Sequence, residues 1–192
     1  EQIKYCKVLS FNYTNTYERL YLDKQQIQNS IDYIHGKAKL FNTVENNNMV
    51  LGIDEYLTDE RKDRETEFIA FKKFYQRIYK ETGCKYKDWV ETIREEYDDF
   101  LQEKERIINR ANEYVGNDVQ RMMHRLQASA VRDQKCKMHN VYIFGHSLDI
   151  TDKDILRELI LNENVYTTIF YLNRDVMGQQ IANLVKIIGQ DE

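Results

Sequence analysis

The chain contains no proline in 192 residues, only seven glycines, three cysteines and one tryptophan. Without proline, helices can run long, and turns are left to Gly and Asn. Cys6, Cys84 and Cys136 are odd in number and far apart. No disulfide frame or metal-ligand spacing can be built from them, and reduced thiols in a cytoplasmic protein are the plain expectation. Basic charge is not in excess, with a net charge of −4. That gives no strong signal for nucleic acid and argues against a dedicated duplex binder. No apolar run approaches the roughly 18 residues of a membrane span, and no signal peptide is visible, so no membrane partner is expected. There is no initiator Met, and the chain runs almost directly into a strand. This points to a longer protein whose first strand and loop lie outside the sequence.

Charged residues make up 31% and hydrophobic residues 42% of the chain, the balance of a folded, soluble domain. Three regions follow one another. Residues 1–57 carry strand candidates at Lys4–Phe11, Ile31–His35 and Met49–Ile53, with a short helix over Thr16–Leu22, a turn near Asp23–Asn29 and an Asn-rich tip over Asn42–Asn48. Residues 58–138 turn helical. Phe68, Phe71, Tyr75 and Ile78 share one helix face, with Gly83 as a stop. Trp89 to Ala111 and Val119 to Ala130 mark two further helices, and this stretch reads as an insertion. Its aromatics are expected in a core, and its charge runs Asp59–Glu67 and Glu95–Asp99 in solvated faces. Residues 139–192 return to strands at Asn140–Phe144 and Tyr166–Leu172, each followed by a helix, near Asp152–Asn162 and Gly178–Ile188. Thr151 and Asp154 resemble a capping box. Strand–helix–strand–helix implies parallel pairing. The fold class expected is therefore α/β, a Rossmann-like, mostly parallel sheet of about five strands with an α-helical insertion.

Each strand candidate stops at a small polar cluster, and an open α/β sheet binds its ligand outside the carboxyl ends of its strands. Asn12 and Thr14 follow the first candidate, and His35 and Gly36 the second. Gly52 with Asp54 follows the third. Gly145, His146, Ser147 and Asp149 follow the fourth, and Asn173 the fifth. A Gly after an apolar strand lets a ligand approach the backbone. The amides and hydroxyl beyond Gly145 suit ribose or phosphate oxygens, and Asp149 and Asp152 suit hydroxyls. His35 has the residue type of a general base. Ordinary structure explains the same residues: a βα turn with capping acids, Asx- and ST-turns at Asn12 and Thr14, and a histidine satisfied by a carbonyl. His124 reads as a face-edge residue. Arg132 and His139 have a spacing used by some helical ribonucleases, a permissive pattern.

Taken in order, Phe11-Asn12-Tyr13-Thr14, Ile34-His35-Gly36, Leu51-Gly52 and Gly145-His146-Ser147-Leu148 with Asp149 and Asp152 resemble the AbiH family of bacterial abortive-infection proteins. The family's N-terminal Gly-Asn-Gly-Phe-Asp motif is absent. A more distant similarity is to sirtuins and sirtuin-like antiphage NADases. Asn12, His35, Gly145 with Ser147, and Asn173 follow the same order as that superfamily's site residues, while the zinc-binding Cys pairs of sirtuins are missing. These resemblances imply an antiphage effector with NAD as substrate and no metal. His35 and Asn12 would act at the nicotinamide ribose, and Thr14, Gly36, Gly145, His146, Ser147, Asp149 and Asn173 would hold the nucleotide. They also imply a phage-derived trigger and leave oligomerisation open. A nucleotide sensor without turnover, and a ribonuclease toxin centred on Arg132 and His139, are the alternatives.

Overall fold

The computed structural model describes residues 6–21, 31–43, 45–52 and 66–189. The turn expected near Asp23–Asn29, the residues Ile53 and Asp54, and most of the Asp59–Glu67 charge run lie outside the described residues. The chain divides into two compact units, one ending at Asp88 and the other beginning at Trp89.

The first unit is built on β1 (Val8–Ser10) and β2 (Ile31–Tyr33), a parallel pair in the register Val8↔Ile31 to Ser10↔Tyr33. The helix α1 (Thr16–Tyr21) follows β1. Met49–Leu51, expected as a third strand, is not one. Its backbone groups are engaged largely by side chains: Tyr13 Oη donates to the Val50 carbonyl at 2.7 Å, Asn47 accepts from the Met49 amide, and Gln76 accepts from the Leu51 amide. Among the described residues, the Val50 amide alone finds a backbone partner here, the His35 carbonyl at 2.8 Å. A ladder needs repeated backbone exchange, and here side chains have taken its place. Val50 is nonetheless fully buried, as is Ile34. The segment keeps the burial of a strand without its pairing.

A 3-10 turn over Thr66–Phe71 leads into α2 (Lys73–Tyr79). The chain then reverses through Gly83, whose φ of +67° suits only glycine, and a Cβ there would collide with the Ile34 backbone. The reversal starts α3 (Lys85–Glu113), whose first turn is anchored when Asp32 Oδ2 accepts from the Tyr86 amide at 3.1 Å.

In the second unit α3 continues and is followed by α4 (Asp118–Arg132). Asn117 caps α4 by accepting from the Gln120 amide at 2.9 Å. Lys104 Nζ reaches the Arg132 carbonyl at the other end of α4, at 2.7 Å, where a cation complements the helix dipole. Ala111 and Ala128 are buried small residues of this helical part. Next come β3 (His139–Ile143) and β4 (Val165–Ile169), parallel from His139↔Val165 to Ile143↔Ile169. Between them lie a 3-10 turn over Ile150–Asp152 and α5 (Lys153–Ile160), and α6 (Arg174–Ile188) follows β4. Leu148, Leu156 and Ile187 form the buried centre, with Ile143, Ile160, Ile169, Leu184 and Ile188 packed around them. Asn164, 1% exposed, ties the start of β4 to α3 by donating to the Ile93 carbonyl at 2.8 Å.

The described strands thus form two separate two-stranded parallel sheets, and the expected Rossmann-like sheet of about five strands is not what the chain builds. β1 and β2 are three residues each, and the third candidate gave its backbone to side chains. In the second unit, Tyr142, Phe144 and Phe170 remain exposed, with Phe144 and Phe170 stacked at 4.0 Å. That sheet face is not buried as both faces of a doubly wound sheet are. One boundary also shifts. Helix α6 starts at Arg174, ahead of the expected Gly178. Ahead of α5, the Asp149 carboxylate accepts from the Thr151 amide at 3.0 Å and caps the 3-10 turn.

Candidate functional site

In the first unit the polar residues beyond β1 lie in exposed local turns, and those beyond β2 are buried. His35 is 6% exposed, and its ring lies 5.9 Å from the Phe11 ring and 6.1 Å from the Tyr13 ring. Gly36, at φ +76°, faces the backbone of Asn48 and Met49, which fills the space a Cβ would need. That space belongs to the chain's own backbone. Asn12 is exposed and sits in a local turn, where its amide and carbonyl both engage the Ser10 hydroxyl. Thr14, also exposed, pairs its hydroxyl with that of Thr16 at 3.0 Å at the start of α1.

Asp32 was not among the residues singled out from the sequence, although an acid inside the apolar strand Ile31-Asp32-Tyr33-Ile34 was a signal. It is 5% exposed. Burial holds its carboxyl above the usual aspartate range, against the opposing pull of the Tyr86 and Lys85 amides and the Lys85 charge.

In the second unit the polar residues beyond β3 and β4 are arranged differently. Gly145 has φ +61°, and nothing lies within 4 Å of where a Cβ would be. Conformation demands glycine here, and the space beside it is open. His146 is held on both sides: its Nδ1 accepts from the Leu148 amide at 2.9 Å, and its Nε2 faces Asp152 Oδ2 at 3.4 Å. With Nδ1 accepting, the ring hydrogen belongs on Nε2, towards the carboxylate. His146 therefore shapes the loop. Leu148 is fully buried at φ +54°, a conformation rare for a residue with a Cβ. Ser147 is exposed, and Asp149 serves as the cap described above. Asn173, exposed beyond β4, caps α6 by accepting from the Val176 amide at 2.9 Å.

The β3–β4 pairing brings the two strand ends side by side, so the Gly145–Ser147 loop and Asn173 leave neighbouring strands in the same direction. Next to them lies a pocket of about 180 Å³ lined by Leu148, Ile169, Tyr171, Met177, Gln180, Ile181 and Leu184. That is small against the roughly 300–1,000 Å³ of ligand sites, enough for one ring system. Gln180 and Asn183, which the sequence reading passed over, hold the loop from α6. A model of the family described as bacteriophage abortive infection AbiH matches residues 1–172. The chain belongs to the AbiH family. Membership makes antiphage abortive infection its functional setting, as the FNYT, HG and GHSL blocks implied. Neither a curated protein nor a solved structure matches this AbiH chain significantly.

The remaining candidates have local explanations. His124 lies against the Tyr114 ring at 4.7 Å. Arg132 ends α4, while His139 opens β3 with its Nε2 at 3.0 Å from Glu96 Oε2. Burial weighs against ionised Glu96, but the hydrogen bonds and charges of Lys137 and His139 prevail and hold it below the usual glutamate range. No group of three or more His, Cys, Asp or Glu among the described residues has the geometry of a metal site. No helix among the described residues is long and apolar enough to cross a membrane.

Proposed function

We propose that this AbiH protein acts in abortive infection by binding a nucleotide at the carboxyl ends of β3 and β4, with NAD as that nucleotide and its hydrolysis as the output. The observation that carries the reading is the open, left-handed Gly145 beside exposed Ser147 on a parallel strand pair, next to an apolar pocket. Parallel strand ends are where α/β folds receive ligands, and a backbone without a side chain admits phosphate or ribose closely. The pocket suits one apolar ring, Ser147 the polar part, and Asn173 the neighbouring rim. The groups proposed for the hydrolytic step are His35, as the base for a ribose hydroxyl or water, and Asn12, at the ribose.

A second reading, a sensor that binds a nucleotide without turning it over, is favoured by one feature. His35 is 6% exposed and packed against two aromatic rings, an awkward setting for a general base. Calorimetry with NAD and ADP, paired with NAD consumption by the full-length protein at rest and during phage challenge, separates the two. Turnover that His35→Ala and Asn12→Ala each cut by about a hundredfold, the low end for general acid–base groups, supports hydrolysis. Binding without turnover supports the sensor. A protein that neither binds a nucleotide nor consumes NAD under phage challenge removes both.

A further inference from the structure

The Gly145–Leu148 loop is held from one side by two amide side chains of α6. Gln180 Nε2 donates to the His146 carbonyl at 2.9 Å, and Asn183 Nδ2 donates to the Ser147 carbonyl at 3.0 Å. Three residues apart, the two share a helix face. Gln180 is only 6% exposed, and burying an amide costs stability unless it is hydrogen-bonded, so this bond is a firm one.

The direction of these bonds fixes what the loop presents outward. Its peptides are trans, so each N–H points opposite to the C=O of the same peptide unit. With the His146 and Ser147 carbonyls turned to α6, the Ser147 and Leu148 amides turn away from it. The Leu148 amide is taken by His146 Nδ1. The Ser147 amide points away from α6, and its residue is exposed next to a glycine with open space around it. An amide N–H and a hydroxyl on one exposed residue beside a bare backbone are two donors that an anionic oxygen can use. Gln180 also lines the apolar pocket, together with Met177 and Leu184. One side chain thus bounds the space for a ring and sets the loop that would meet a phosphate.

Building on the nucleotide-binding reading above, we propose that Gln180 and Asn183 are positioning residues that fix the loop to receive a nucleotide phosphate through the Ser147 amide and hydroxyl. The test is amide and methyl NMR on the isotope-labelled full chain, titrated with NAD and, separately, with inorganic pyrophosphate. In the wild type, NAD shifts both the Ser147 amide and the Met177 methyl, whereas pyrophosphate shifts the Ser147 amide alone. Gln180→Met keeps the pocket wall and removes the donor. It weakens NAD about tenfold, the order of one hydrogen bond, and abolishes the Ser147 response while the Met177 response persists. Asn183→Leu acts in the same direction. An unchanged Ser147 response and affinity in both variants overturns the proposal. Loss of the Ser147 and Met177 responses together also overturns it, because that is general loosening. If the wild type responds to neither NAD nor pyrophosphate, the nucleotide reading fails. The ligand-free spectra then decide the positioning role by themselves: Ser147 and Leu148 amide signals that do not move in Gln180→Met overturn it.

Discussion

The two parallel strand pairs end in glycines with opposite surroundings. After β2, Gly36 is left-handed and crowded by the Asn48 and Met49 backbone. After β3, Gly145 is left-handed and faces open space. His35 beside the first is buried among aromatic rings, while Ser147 near the second is exposed. A strand-end glycine is therefore ambiguous by itself. It can admit the chain's own backbone or a visitor, and only the neighbours decide which.

The strongest way to break the comparison is to add a methyl group at each glycine. Gly36→Ala has to displace backbone as well as adopt a left-handed conformation, costing about 2–5 kcal/mol when overpacking and conformational strain are combined. Gly145→Ala meets no atom and costs only the strain, about 1–2 kcal/mol. Chemical denaturation of each variant measures both, and equal losses would remove the distinction. Asp32 gives the next largest effect. Asp32→Ala leaves the Tyr86 amide without its acceptor and costs about 1–3 kcal/mol. Asp32→Asn keeps an acceptor and removes the charge. Because the folded carboxyl is easier to protonate than the unfolded one, its contribution is full below the ordinary aspartate value, near about pH 4, and is lost as pH rises through the raised folded value. Asp32→Asn should therefore gain in Tm relative to wild type as pH rises from about 4 to neutrality. A difference that stays flat with pH would remove buried charge as the cause.

The smallest effect probes the open rim. Asn173→Ala removes the cap of α6 and costs about 1 kcal/mol. Asn173→Asp keeps a capping acceptor and should restore stability. If it restores Tm but not nucleotide affinity, the amide group has a use beyond capping. If both return together, the cap is its whole role.

The second unit was the more legible in sequence. Its strands and helices alternate, each apolar face is regular, and β3, α5, β4 and α6 form within a few residues of their expected bounds. Asn173 reads in the sequence as a ligand residue, yet Asn followed by an acid two positions on, Asp175, is also a capping pattern, and it is the cap that the structure shows. The first unit misled where side chains replaced backbone. Nothing in Met49-Val50-Leu51 announces that Tyr13, Gln76 and Asn47 will engage its peptide groups from 25 to 37 and from two residues away. Hydrophobic pattern reports burial, whereas strand pairing depends on which groups compete for the backbone. At the site, Gly145 and Ser147 were visible as types, but Gln180 and Asn183 were not, because polar residues on a helix read first as its solvated face.

Leu148 links the open rim to the interior in time as well as in space. Its side chain is fully buried among Leu156 and Ile187, yet its backbone belongs to the loop and sits at φ +54°. The loop cannot swing freely, because rotating it would withdraw a leucine from the core. Its opening should therefore be a slow, cooperative event, unlike the fast flutter of most surface loops. Hydrogen exchange at the Leu148 amide would then track the unfolding of the second unit, and whatever occupies the rim would set the lifetime of the fold beneath it.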